Sequence, residues 1–412
     1  MKNKIYQLLR WSEKYTKTDM IYLSKGSFWL CLGQILSSFS IFLLAIAFAN
    51  LLPKETYGTY QYILSMAGIL GLFSLTGMNT AVIRAVAKGF EGTLKKSFWV
   101  QMKWGLIMFF VCLAVGVYYF IQGNQTLAIS FLIVGSFSPL LNSANTYFAF
   151  LNGKKDFKNL MLYSTISTIL SSFALLLMVL ITKKPIPLIL TYFISNTAVN
   201  VYFYLRTIKV FKPNENQSPD AISYGKHLSL MNVINTIAYY LDGPLVFHFL
   251  GAANLAIYSL AIAPAEQIKA LFKNINSLAM PKFSEKSKEE IKKTITNKVI
   301  IFGAVIAAGT LFYIFLAPFF YKIFFPKYMI SVFYSQIYAI SLVAVTLYLP
   351  FSALQAQMAT KELYFFNFWS SVIQIVLLII FIMFWGILGA VVAKVTIRFI
   401  SLAISAWLVK KM

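Results

Sequence analysis

Apolar runs of spanning length recur along this chain, separated by short polar gaps. A membrane-crossing helix needs about 20 mainly apolar residues. Twelve runs qualify: 27–50, 59–83, 98–121, 127–151, 160–182, 187–205, 227–250, 254–280, 299–319, 331–357, 363–385 and 387–409. They are too long and too unbroken to alternate as barrel strands. The pattern therefore predicts an all-α polytopic membrane protein of about 12 transmembrane helices. The longest polar interruption before the second half, 206–226, holds Lys212-Pro213-Asn214-Glu215-Asn216-Gln217-Ser218-Pro219 and divides the runs six and six. The expected layout is an N-terminal segment (1–26), a six-helix N-lobe (27–205), a linker (206–226), a six-helix C-lobe (227–409) and a tail (410–412).

The halves echo one another. Leu51-Leu52-Pro53 leads to Gly58-Thr59-Tyr60, and Phe249-Leu250-Gly251 leads to Ala256-Ile257-Tyr258, with the two tyrosines 198 residues apart. Two such bundles fit the repeat logic of transporters, with a substrate site between them. Asp242-Gly243-Pro244 interrupts the seventh run, and similar breaks fall at Ser138-Pro139, Ala263-Pro264 and Leu349-Pro350. Such interruptions give a helix the flexibility that alternating access needs.

Composition fixes the solvent. Hydrophobic residues make up 59% and charged residues 12%, against about 45–50% and 25% in soluble domains. A net charge of +23 would ordinarily suggest nucleic acid. Its distribution argues otherwise: 26 of the 36 Lys and Arg lie in every second gap and the tails, 5 in the opposite gaps and 5 within apolar runs, one of these, Lys103, near a run's basic end. Basic residues collect on the cytoplasmic side of membrane proteins. An even number of spans then puts both termini inside, with no nucleic-acid partner and membrane lipid as surroundings. The start, with Ile5, Leu8, Leu9 and Trp11 among Lys2, Lys4, Arg10 and Lys14, fits an interfacial helix or a solvated tail equally well. It lacks the pattern of a cleavable leader. The run 284–298 reads as a solvated helical linker. Cys31 and Cys112 lie in apolar runs as small core residues. His227 and His248 have no partner at metal-ligand spacing, so no metal or other cofactor is expected.

The stretches LLPKETYGTYQYILSMAGILGLFSLTGMNTAVIRAVA (51–87), LDGPLVFHFLGAANLAIYSLA (241–261) and LAMPKFSE (278–285) resemble Wzx-type polysaccharide flippases. These form part of the multidrug/oligosaccharidyl-lipid/polysaccharide exporter superfamily. The resemblance implies an inner-membrane transporter, not an enzyme. Its cargo would be a lipid-linked oligosaccharide, commonly undecaprenyl-diphosphate-linked, moved from the inner to the outer leaflet of a bacterial cytoplasmic membrane. It also implies glycan-assembly proteins as partners.

Charges left inside apolar runs are the candidate chemistry, because insertion scales set about 2.5–3.5 kcal/mol against Arg, Lys or Asp at a helix centre. Glu266, Lys269 and Lys273 fall within an arc of about 60°, with Tyr258, Ser259, Asn276 and Ser277 on or beside it. Lys394, Arg398, Ser401 and Ser405 share one face of the last run. Asn232, Asn235, Tyr239 and Asp242 share an arc of about 80°, and the second run contributes Asn79 and Arg84. One reading is a cavity walled by runs 1, 2, 7 and 8 in which Arg84, Lys269, Lys273 and Arg398 meet a diphosphate. The other pairs Glu266 with Lys269 and lets Arg84 and Lys273 reach headgroups. In folds of the resembled kind the last helix packs peripherally, which would leave Lys394 and Arg398 outside the cavity. Asp242 and Glu266, the carboxylates within the runs, could carry a coupling proton or sodium ion, or Asp242 could cap the broken helix. A multidrug or organic-ion antiporter would want an acidic cavity. A polymerase would want a large external loop and an acyltransferase a deep His, and the sequence has neither.

Overall fold

The computed structural model describes residues 20–272, 283, 287–357 and 359–411. Among these it is all-α, and nine helices are long and apolar enough to cross a membrane. A tenth crossing arises if the bent pair Lys54–Ser74 and Met78–Ala87, at 54°, is taken as one. The chain is an all-α polytopic membrane protein. In order, its helices are α1 (Met20–Leu51), α2 (Lys54–Leu70), α3 (Met78–Ala87), α4 (Thr93–Ile121), α5 (Gln125–Ala144), α6 (Thr146–Gly153), α7 (Phe157–Ile181) and α8 (Pro185–Phe211). After a break come α9 (Ala221–Met231), α10 (Val233–Tyr240), α11 (Asp242–Leu250), α12 (Ala252–Phe272), α13 (Lys288–Phe324), α14 (Ser331–Ala339) and α15 (Tyr348–Ala356). The segment Thr360–Lys411 is helical throughout except at Gly386, whose φ of 57° and ψ of −131° leave the helix. Phe365 and Trp407 lie 6.2 Å apart between ring centroids, so the chain reverses at Gly386. It forms an antiparallel pair, α16 (360–385) and α17 (387–411).

Local chemistry sets the ends. Asn124 caps α5 by accepting from Leu127 N at 3.1 Å, and Asp156 caps α7 by accepting from Asn159 N at 3.1 Å. Ser287 and Glu290 form a reciprocal capping box on α13, which satisfies amides that would otherwise be orphaned. One boundary differs from the sequence reading: the expected linker 206–226 is helical up to Phe211 and again from Ala221. The run 284–298, read as a helical linker, is helical from Lys288 and continues without a break into the apolar part of α13. Polar, basic helix ends project beyond the apolar stretch, and apolar counting stops short of them. The seventh run divides into α9, α10 and α11, and Pro244, which cannot donate to the preceding turn, accounts for the break between α10 and α11. Most of the N-terminal segment 1–26 lies outside the described residues.

The outer faces of these helices carry exposed Trp99, Phe110, Leu180, Ile181, Phe315 and Phe384, an apolar surface that only lipid covers without cost. Inside, the halves meet at the charge-poor end. Asn50 Nδ2 donates to Phe324 O at 2.8 Å, and Lys327 Nζ donates to Asn50 O at 2.5 Å. Tyr62 stacks on Phe247 with centroids 4.0 Å apart. At Gly58 a Cβ would stand 1.7 Å from the Ala252 carbonyl oxygen, so only glycine permits α2 and α12 to cross there. Gly58→Val should therefore lower the melting midpoint of the purified protein, by an overpacking cost of about 1–3 kcal/mol. Gly309→Ala, at a position with open space around it, should leave the midpoint unchanged or higher. Equal midpoints for the two variants would contradict the close crossing.

Candidate functional site

Inside the bundle, a cavity of about 460 Å³ is lined by α2 (Gln61, Ser65), by α10 and α11 (Tyr239, Asp242), by α12 (Tyr258, Glu266, Lys269), by α16 (Gln374) and by α17 (Lys394, Arg398). Helical spacing builds its charged wall. Glu266 and Lys269 stand one turn apart on α12, and Lys394 and Arg398 one turn apart on α17, so each pair faces the same way. Asp242 opens α11 with its side chain turned to these helices. Tyr258 Oη and Lys394 Nζ each donate to Asp242 Oδ2 at 2.7 Å. Glu266 Oε1 accepts from Tyr338 Oη at 2.5 Å and from Arg398 Nη2, while Oε2 accepts from Lys269 Nζ at 3.1 Å. Arg398 Nη1 donates to Ser341 Oγ at 2.5 Å, and its guanidinium lies 4.8 Å from the Tyr338 ring centroid.

The arithmetic of this wall is three cations against two carboxylates. Both carboxylates are paired with cations, so the surplus charge belongs to the cationic side. The pairs also differ in depth. Side-chain exposure is 10% for Asp242 and 12% for Lys394, but 29% for Glu266 and 27% for Lys269. The first pair is a buried brace between α11 and α17. The second faces the cavity, where an incoming anion can reach it.

A second cavity of about 580 Å³ adjoins the first across Tyr240, which lines both. Among the described residues its lining contains no Lys, Arg, Asp or Glu and is rich in amides, including Asn79, Gln101, Asn142 and Asn145. Asn142 Nδ2 donates to Ser74 Oγ at 2.9 Å. Asn79 Oδ1 and Gln101 Oε1 are buried without a hydrogen-bond partner, which costs about 1–3 kcal/mol per group.

Residues 23–287 match the polysaccharide biosynthesis protein family. The chain belongs to that family. This is the Wzx-like family that the sequence resemblance indicates. An uncharacterized membrane protein of Methanocaldococcus jannaschii is 22% identical over 437 aligned positions, covering 94% of this chain and 84% of that protein. An inward-facing multidrug-resistance MATE-family transporter of the MOP superfamily superposes with a TM-score of 0.67 at 13% identity, over 92% of this chain and 94% of the other. The lipid II flippase MurJ in an inward closed conformation superposes at 0.66 with 14% identity, over 93% and 86%. These likenesses show the fold. The fold is one this chain shares with solved membrane transporters.

For this family member, the structure brings together Glu266, Lys269, Arg398, Asp242 and Tyr239 of the residues singled out in the sequence. It also brings in Lys394, so the last helix is not peripheral. Among the described residues none of α1 lines the cavity; α16 and α17 take its place. Asp242 is engaged by Tyr258 and Lys394 rather than capping α11, which has no side-chain cap. Asn79 lines the second cavity. Asn235 accepts from Ser371 on α16, and Asn232 is exposed. Arg84 stands apart, exposed, with its guanidinium 5.2 Å from the Tyr224 ring centroid. It lines a separate small cavity with Lys88 and Asp220. Lys273, Asn276 and Ser277 lie outside the described residues. His227 and His248 are both exposed.

Sequence reasoning passed over Tyr338, Ser341, Gln374 and Gln101. Each has polar neighbours within a helical turn (Ser335 and Gln336 before Tyr338, Tyr338 itself before Ser341, Ser370 and Ser371 before Gln374, Lys103 after Gln101), and that clustering was the available signal. Removing one member of the buried brace, Asp242→Ala, should cost about 3–5 kcal/mol by stranding Lys394. The double variant Asp242→Leu with Lys394→Met should recover most of the loss. Thermal unfolding in detergent tests this, and a double variant no more stable than the single one would count against the brace.

Proposed function

We propose that this protein translocates a polyprenyl-diphosphate-linked oligosaccharide from the inner to the outer leaflet of a bacterial cytoplasmic membrane, by alternating access of two six-helix lobes. The observation that carries this reading is the surplus of cations on the wall formed by α12 and α17. A diphosphate is the anion that suits it: guanidinium and ammonium groups in a low-dielectric wall compensate phosphate charge, and arginine does so in bidentate fashion. The lobes follow from taking α2 with α3 as one crossing, α9 to α11 as one, and α16 and α17 as two, which gives twelve. Both termini then lie on the basic, cytoplasmic side. The sugars cross within the cavities while the polyprenyl tail stays in lipid. Arg84, at the basic end, meets the headgroup on entry, and glycan-assembly proteins deliver and receive the cargo. A multidrug or organic-ion antiporter, the nearest alternative, would reverse the sign of the wall.

The paired carboxylates suggest how a proton or sodium ion enters the cycle. As long as Lys394 holds Asp242, the carboxylate needs no other cation. When a diphosphate draws Lys394 or Arg398 away, Asp242 or Glu266 is left uncompensated and takes up a proton or sodium ion in their place.

In the native host, Arg398→Ala and Lys269→Ala should each lower surface glycan at least about tenfold, the loss of a charged hydrogen bond. Membrane protein levels should persist. Lys322→Ala, an exposed lysine away from the cavity, should export normally. Blotting of surface glycan and of the tagged protein reads both, and normal export in both cavity variants sinks the reading. Export in Asp242→Asn should respond less than wild type to collapse of the proton or sodium gradient. An unchanged response excludes Asp242 from coupling.

A further inference from the structure

The second cavity has the chemistry of a carbohydrate site rather than an anion site. We infer that it receives the uncharged sugars of the headgroup, while the diphosphate stays on the charged wall of the first cavity. This rests on the flippase reading and sharpens it: one headgroup is divided between two subsites according to charge.

Three observations converge on this division. Among the described residues the lining holds four side-chain amides and no Lys, Arg, His, Asp or Glu, so a diphosphate entering it would meet no counter-charge. Two of the amide oxygens, Asn79 Oδ1 and Gln101 Oε1, are buried and unpartnered. Gln101 is only 3% exposed, and its amide nitrogen makes a single long contact of 3.4 Å to Leu75 O. Buried acceptors without donors call for a ligand that supplies them, and sugar hydroxyls are donors arranged around a ring. The third observation is continuity. Tyr240 belongs to both linings, so a chain of sugars leaving a diphosphate near Arg398 passes that ring into the amide cavity. Tyr192 and Tyr240 give the cavity flat apolar faces beside its amides, and at about 580 Å³ it falls within the usual range of ligand pockets, about 300–1,000 Å³.

The division also defines a preference. A uronic or other acidic sugar reaching the amide cavity would bring a charge that nothing there compensates, so neutral sugars are favoured in that part of the headgroup.

Gly71 offers a clean test. It lines this cavity, has helical φ and ψ, and a Cβ built on it meets nothing within 4 Å. Gly71→Leu therefore fills the space without pressing on the protein. The full chain in lipid nanodiscs is titrated with two probes, undecaprenyl diphosphate and undecaprenyl diphosphate-N-acetylglucosamine, with binding read by intrinsic fluorescence. The sugar-bearing probe should bind wild type at least about tenfold more tightly. In Gly71→Leu and in Gln101→Leu that ratio should fall to near one while the bare lipid binds as before, which also shows that both variants are folded. A ratio near one in wild type, or a ratio surviving in both variants, overturns the inference and leaves the flippase reading standing. Loss of bare-lipid binding in both variants also overturns it, since the two cavities would then act as one site. Failure of wild type to bind either probe overturns the flippase reading and this inference together.

Discussion

A charge held inside a lipid-embedded bundle must be answered by another charge, and much of the C-terminal half is arranged around that requirement. Asp242, Glu266, Lys269, Lys394 and Arg398 answer one another across α11, α12 and α17. Tyr258 and Tyr338 donate to the two carboxylates, and Tyr338 brings α14 into the same network. Each bond fixes the rotation of one helix against another, because a charged group turned toward lipid would forfeit its partner. The cavity is thus bounded by side chains whose positions are set by mutual compensation.

The same helices carry the contact between the halves. α2 crosses α12 at Gly58, where the backbone of Ala252 leaves no room for a side chain. Farther along α2, Gln61 and Ser65 line the charged cavity, while Leu64, Gly68 and Gly71 line the neutral one. Gly68 lies against the ring of Tyr240, where a Cβ would come within 2.6 Å. A shift of α2 relative to α12 must therefore deform both cavities together. That is the kind of element whose displacement links a closed end to a binding site.

Much of the fold was legible in the sequence because lipid imposes a long and simple code: twenty apolar residues, then a gap whose charge reports its side. Even the boundary at Gly386 could be placed, since one glycine between two apolar runs leaves little but a sharp reversal, and its φ of 57° supplies one. The stripe on α12 was also readable, since helical spacing alone puts Glu266 and Lys269 together. What periodicity cannot show is which stripe meets which. Lys394 reaches Asp242 and Arg398 reaches Glu266 across the fold, and no spacing along the chain encodes that. Arg84 illustrates the converse: a lone cation in an apolar run looked like cavity chemistry, yet it stacks on Tyr224 at the basic end. The amide cavity escaped notice for a third reason. Its polar residues are spread over α3, α4, α10 and the turn before α3, and the one stripe among them, Ser138, Asn142 and Asn145 along α5 and its C-cap, carries no charge to mark it.

On the proposed reading, the built-in carboxylates resolve a difficulty that faces any carrier of a highly charged cargo. Three unopposed cations in a low-dielectric wall would hold a diphosphate so strongly that it could not leave, and a ligand shifts an equilibrium between two states only by its difference in affinity for them. Glu266 lowers the net gain of binding, because a diphosphate must displace it from Arg398 and Lys269 before those groups can turn outward. The displaced carboxylate stays within reach, tethered one turn from Lys269, and re-forms its bonds as the cargo departs. Release is then an exchange of one anion for another, and the cations are at no stage left bare. Because the competitor is intramolecular, its effective concentration is set by the fold. Any motion that draws α12 away from α17 would weaken that competition, and any motion that closes them would strengthen it, so the affinity of the wall for its cargo follows from the distance between two helices.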